Sequence, residues 1–194
     1  MGRDRYPQTQ EEMNTIIFVI GTIFLMYISR QSLRAPRSHG FYRFFAWECI
    51  LGLFLLNVYF WFQNPFAWHQ LIAWTLLLAS LIPLAFGVST LKSRGKPTVK
   101  RESDPSLLAF ERTTRLVTGG VYKYIRHPFY SSLLFLTWGI FFKNFSAAGI
   151  MLAIAATIFL VFTAKTDEAE CVQFFGSAYG EYMQKTKMFI PYLF

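Results

Sequence analysis

Residues 145–164 read FSAAGIMLAIAATIFLVFTA, twenty positions without a charge, and Lys165-Thr-Asp-Glu168 follows at once. A helix rises about 1.5 Å per residue, so about twenty apolar residues cross the roughly 30 Å hydrocarbon core of a bilayer. The segment therefore reads as a membrane-spanning helix whose exit carries two carboxylates. Four further apolar runs precede it. Residues 44–62 enclose Glu48 and Asn57, and residues 71–91 enclose Pro83, an expected kink. Residues 13–29 and 129–142 are shorter than a comfortable span. The expected fold is all-α: a polytopic integral membrane protein with about five transmembrane helices. Residues 1–91 form an N-terminal three-helix membrane region and residues 92–194 a second region, together one structural domain.

Composition agrees. Of the 194 residues 54% are hydrophobic and only 15% charged, against roughly a quarter charged in soluble domains. The net charge of +8 does not point to nucleic acid, because Lys and Arg sit in the gaps between apolar runs. Arg30, Arg34, Arg37, Arg43 and a basic cluster after residue 91 fall on one side when the runs alternate. By the positive-inside rule that side is cytoplasmic, so five crossings put the N-terminus outside and the C-terminus in the cytoplasm. No cleaved signal peptide is expected, since Asp4, Glu11 and Glu12 offset the early Arg residues, and Tyr6 stands where myristoylation wants Ser or Thr. Cys49 and Cys171 are expected as free thiols. His39, His69 and His127 lack metal-ligand spacing, so no metal site is expected.

Polar features concentrate late in the chain. Trp61, Phe66, Trp68 and Trp74 surround an Asn64-Pro65 turn and read as an aromatic belt at the outer interface. The 92–128 stretch is too long for a plain connector and ends on Arg126-His127-Pro128. Proline favours the first position of a helix, where backbone N–H groups point outward. A helix starting there has only about 21 Å before its apolar run ends, so His127 falls at the lipid boundary. Polar backbone at that depth is tolerated where it lines a cavity. After the last run, Cys171, Phe174, Phe175, Ala178 and Tyr182 make a helical stripe with Gly176 as a point of bending. Asn57 reads as an interhelical hydrogen-bonding residue. Glu48, ionisable within a span, is a functional candidate by default.

The ordered set Leu116-Val117, Gly120, Tyr122, Arg126-His127-Pro128, Tyr130, Glu168, Phe175-Gly176, Tyr179, Tyr182 and Pro191 resembles the membrane-embedded methyltransferases. That family includes isoprenylcysteine carboxyl methyltransferase and the phospholipid N-methyltransferases. Val121 replaces the family's Pro and Asp167 its first Glu. The likeness covers about residues 92–194, and the first half matches nothing diagnostic.

The resemblance implies S-adenosylmethionine as cofactor, S-adenosylhomocysteine as product, and a cytoplasm-facing pocket roofed by the 92–128 stretch and the C-terminal segment. Leu116, Val117, Gly120, Tyr122, His127, Pro128, Tyr130 and Glu168 become cofactor-binding candidates, with Arg126 and Glu48 as catalytic ones. Glu168 suits the cofactor's cationic groups, the Pro128 helix entrance with Arg126 or His127 suits its carboxylate, and Val117, Tyr122 and Tyr130 offer an apolar slot for adenine. The implied partners are the lipid bilayer and a lipophilic small-molecule or prenylated acceptor. A carboxylate acceptor is favoured, being anionic without a base. One alternative is an NADPH-dependent membrane reductase of sterol-reductase type, from Asp167-Glu-x-x-Cys171, Gly176 and the closing Ile190-Pro-Tyr192. A small transporter is disfavoured because no repeated halves are visible.

Overall fold

Each apolar run becomes a helix in the computed structural model, which describes residues 5–94 and 115–192, with side chains from residue 10 onward. The helices are α1 (Arg5–Leu33), α2 (His39–Asn57), α3 (Trp68–Arg94), α4 (Pro128–Phe141), α5 (Ala147–Phe175) and α6 (Ser177–Lys185). Among the described residues no strand forms, only an isolated bridge between Ile125 and Lys187. Four helices are long and apolar enough to span a membrane, over Gln10–Leu33, His39–Phe60, Trp68–Arg94 and Ala147–Phe175. The chain is thus a polytopic helical membrane protein. The first apolar run, short when judged by hydropathy, sits inside a 29-residue helix. The 14-residue α4 is the shorter fifth member. The middle of the expected pocket roof, with Lys96, Lys100, Arg101, Asp104, Pro105 and Arg112, lies outside the described residues, as do Arg3 and Phe194.

Local chemistry sets the boundaries. Ser38 caps α2 by accepting from the Phe41 amide, and Ser146 caps α5 by accepting from Gly149, each satisfying an amide with no intrahelical partner. Pro128 opens α4 as its first residue. The helix of α3 continues through Pro83, which is buried. α5 stops at Gly176, where φ is 66° and ψ is −145°. The expected stripe from Cys171 to Tyr182 is therefore divided between α5 and α6.

Packing joins the two halves of the chain, with α2 against α5 and α3 against α4, while α1 leans on α2. On α5, Ala153, Ala156, Leu160 and Ala164 are fully buried, and they meet Ala46, Ile50 and Leu53 of α2 in shared clusters. Small side chains let helix backbones approach closely in lipid, where no water drives association. Asn57 donates to the Ile140 carbonyl at 2.9 Å, the interhelical bond its polarity called for.

At the end of α4 the belt reading changes character. Phe66 and Trp68 are exposed, but Trp61 and Trp74 enclose Lys143. Its Nζ lies 3.6 Å from the Trp74 ring centre and donates to Gln70 Oε1 at 3.0 Å and the Trp61 carbonyl at 3.3 Å. Gln70 donates back to the Lys143 and Phe60 carbonyls. One ammonium therefore pins the end of α2, the start of α3 and the α4–α5 connection. Burial pushes the Lys143 ammonium down to about 8. Because the folded value lies below the unfolded one, the charged form opposes folding at lower pH, and stability rises as pH climbs from about 8 toward the unfolded value. Unfolding of detergent-solubilised protein across that interval should show this gain, and Lys143→Met should flatten it.

Candidate active site

The site is built where the start of α4, the exit of α5 and the C-terminal segment meet. Gly120 opens a short 3-10 turn (Gly120–Lys123) with φ +63°, and a Cβ there would lie 2.6 Å from Thr90 Oγ1. Only glycine takes that conformation and that contact with α3 without strain. The chain then runs extended beside the C-terminal segment. Lys187 donates to the Tyr124 carbonyl, Arg126 to the Lys187 carbonyl at 2.8 Å, and His127 to the Met188 carbonyl at 3.1 Å. The Ser131 hydroxyl lies 2.7 Å from the Phe189 carbonyl and closes the seam. Tyr182 donates to the Tyr122 carbonyl at 2.7 Å, tying α6 to the same turn.

Four charged groups converge there. Arg126 Nε donates to Glu168 Oε1 at 2.6 Å, and its Nη1 reaches the Met183 and Thr186 carbonyls. His127 faces both carboxylates, with Nε2 3.3 Å from Glu168 and Nδ1 3.4 Å from Asp167. Tyr130 stacks on the His127 ring at 5.3 Å, and its hydroxyl lies 3.5 Å from Asp167 Oδ2. Cys171, one turn along α5, has its Sγ 3.6 Å from Asp167 Oδ1. Burial alone would lower the basicity of His127, but the bonds to Asp167 and Glu168 outweigh it and hold the imidazolium. Burial raises the Tyr179 and Tyr182 phenols, so both stay protonated.

Beside this network lies a partly open cleft with a cavity volume of about 100 Å³, smaller than the roughly 300–1,000 Å³ of typical small-molecule sites. Leu91, Leu116, Val117, Tyr122, Phe129 and Phe175 give it apolar walls, and Arg126, His127 and Asp167 give it charge. Of the candidates named from the sequence, Leu116, Val117, Tyr122, Arg126, His127, Pro128 and Tyr130 line it. Gly120 stands behind it as a turn residue. Glu168 is not on the wall, because Arg126 and His127 engage its carboxylate; Asp167 faces the cleft instead. Glu48 is elsewhere: it accepts from Thr22 at 2.8 Å in the α1–α2 seam and does not line the cleft. Its side chain points toward α1.

Sequence reasoning missed His39. Its backbone amide and its Nδ1 both bond Glu170, at 3.0 and 2.5 Å, joining the start of α2 to the turn of α5 that carries Asp167. A separation of 131 residues leaves no local pattern to find. Arg43 was counted only as a topological charge, yet it is buried, with its guanidinium 5.1 Å from the Trp47 ring centre.

A helical membrane protein with a charged cleft at the end of its spans is the class these features define. Residues 106–184 match the family model described as phospholipid methyltransferase. The methanethiol S-methyltransferase 1 of Bradyrhizobium diazoefficiens is 28% identical over 78 residues, 40% of this chain and 27% of that protein. The methanethiol S-methyltransferase of Pseudomonas deceptionensis is 27% identical over 73 residues, 38% of this chain and 27% of its own. The one from Pseudomonas sp. strain GM41(2012) is 30% identical over 71 residues, 37% and 26% respectively. The chain thus spans about a quarter of the length of the curated relatives it matches. No solved structure matches it.

Removing one partner of a buried ion pair leaves the other charge unpaired, which costs roughly 3–5 kcal/mol. Glu168→Ala should therefore lower stability by about that amount, and Glu168→Gln by less, measured by thermal unfolding in detergent. The raised His127 group carries its own pH signature. Its stabilisation is fully present below about pH 6.5 and is lost as pH climbs through the higher folded value. Unfolding measured across that window should show this loss in the parent protein and not in His127→Gln.

Proposed function

We propose that this protein is an S-adenosylmethionine-dependent methyltransferase acting on a lipidic or prenylated acceptor at the membrane interface. The observation that carries the reading is the cleft itself, in which a carboxylate, a cationic pair and apolar walls lie within one ligand's length. The residues fit the cofactor's chemistry. Asp167 faces the cleft and suits the ammonium or sulfonium. Arg126 and the N-terminal end of α4 suit the amino-acid carboxylate. Val117, Tyr122, Phe175 and Tyr179 form a slot for a flat ring. Bound there, S-adenosylmethionine would supply an electrophilic methyl group on sulfur.

The chain's own contribution is to hold and to dry the site. In-line displacement depends on alignment and exclusion of water more than on proton transfer. Glu168 keeps Arg126 and His127 oriented, and the C-terminal seam fixes the backbone beneath them. Tyr179 and Tyr182 close one side as neutral, buried phenols. A carboxylate acceptor needs no base, which matches a site whose ionisable groups are engaged with one another.

The same reading includes five crossings, with α4 as the fifth, the N-terminus outside and the C-terminus in the cytoplasm. Lys92, Arg94, Arg115, Lys123, Lys185 and Lys187 flank the cleft in sequence, as the positive-inside rule expects for a cytoplasmic face.

Calorimetry with S-adenosylhomocysteine should give saturable binding that Asp167→Asn weakens at least tenfold while the variant still unfolds cooperatively. Unchanged affinity in that variant removes the role given to Asp167. Saturable NADPH binding without S-adenosylhomocysteine binding reverses the assignment in favour of a reductase. Incubation with labelled methyl donor and total membrane lipid then identifies the acceptor by the species that becomes labelled.

A further inference from the structure

Two histidines face Asp167. His127 reaches it from the entrance of α4, with Nδ1 at 3.4 Å. His39 approaches from the start of α2, where a ring nitrogen and one oxygen each of Asp167 and Glu170 lie within 4.8 Å of one another. Among the described residues this network sets three carboxylates, Asp167, Glu168 and Glu170, against Arg126, His127 and His39. With both imidazoles protonated its charges balance. The two rings do not hold their protons alike. His127 has a carboxylate at each nitrogen. His39 has one at Nδ1, 2.5 Å from Glu170, while its buried Nε2 has no hydrogen-bond partner. A protonated ring donates from both nitrogens, and a buried donor without an acceptor is costly. Arg43, one turn along α2, also faces His39 and repels its positive form. The Glu170 side chain is 27% exposed against 0% for His39, so water reaches the pair through the carboxylate.

We propose that His39 distinguishes the methyl donor from the demethylated product, by giving up its proton when the donor binds. The inference rests on the methyltransferase reading and extends it to the N-terminal half, where the family model does not reach. S-adenosylmethionine carries an ammonium, a sulfonium and a carboxylate, hence one net positive charge. S-adenosylhomocysteine lacks the sulfonium and is neutral overall. A positive guest beside Asp167 upsets a balanced network, and uncompensated charge away from water is costly. Loss of the more weakly held proton, from His39 to bulk water at Glu170, restores the balance. In the transfer step the bond from sulfur to the methyl carbon breaks as the acceptor's lone pair bonds that carbon. The electron pair stays on sulfur, leaving a neutral thioether. A proton then returns to His39 from water, so turnover consumes none through this residue. His39 touches no reacting atom; it acts through the charge that Asp167 presents to the cleft.

Calorimetry of the full chain in nanodiscs, run at one pH in phosphate and in Tris, reads the protons released from the difference in heat. S-adenosylmethionine should release about one proton per molecule bound, and S-adenosylhomocysteine none. Donor and proton binding are then reciprocally linked. Donor affinity should rise about tenfold per pH unit between the imidazole's value in the loaded site and its value in the empty one, and stay level outside that interval. Product affinity should stay level across the same interval. His39→Gln leaves the empty network one positive charge short, so the donor should bind about tenfold tighter at the acidic end, with no proton released. Glu170→Gln removes a carboxylate that the loaded site needs, so the donor should bind about tenfold more weakly. Product affinity should hardly move in either variant, which also reports that both are folded. A purely structural role would instead weaken both ligands in both variants. Proton release that survives in His39→Gln, or shifts common to donor and product, overturns the proposal. Binding of neither ligand by the parent sinks the methyltransferase reading and this inference together, whereas equal proton release with both ligands sinks the inference alone.

Discussion

Everything at the cleft depends on one buried ionic arrangement, in which Glu168 holds Arg126 and His127, and His127 in turn faces Asp167. Each charge taken out of water is costly alone, and the cost is offset only while every partner is in place. The network therefore behaves as a unit. It locks the exit of α5 against the entrance of α4 and leaves Asp167 facing the cavity. Backbone bonds to Lys187 and Met188 make the C-terminal segment part of the same unit.

The rest of the fold serves to bring that unit to the end of an apolar bundle. Alanines on α5 let α2 approach, and Ser146 and Ser38 fix where those helices begin. At the opposite end of α4, Lys143 sits among Trp61, Trp74 and Gln70 and ties three connections together. Both ends of α4 are thus tied by buried polar side chains, one by a paired ionic network and the other by the hydrogen bonds of Lys143 to Gln70 and Trp61. Between them α4 packs chiefly against α3 and α5.

Much of the site was legible because its residues carry their meaning locally. Arg126-His127-Pro128 announced a helix entrance with cationic side chains, and Asp167-Glu168 announced the acidic exit of a span. Their spacing did not say which carboxylate would meet which cation. The structure engages Glu168 with Arg126 and His127 and turns Asp167 to the cavity, since adjacent positions on a helix point about 100° apart. Glu48 shows the converse. Its polarity within a span marked it as functional, but the face it occupies looks toward Thr22 of α1. A one-residue choice of helix face depends on how α1 and α2 pack.

The sequence alone determined the membrane-embedded helical class, the positions of the helices and the polar character of the α4 entrance. Those follow from hydropathy over windows about twenty residues long and from proline and glycine stereochemistry, which act within a few residues. Only the tertiary structure decided that His39 reaches Glu170 across 131 positions, that Lys143 is caged, and that Arg43 lies in a slot beside Tyr130. Those contacts join residues from different helices, and their partners are chosen by packing geometry, which no local pattern records.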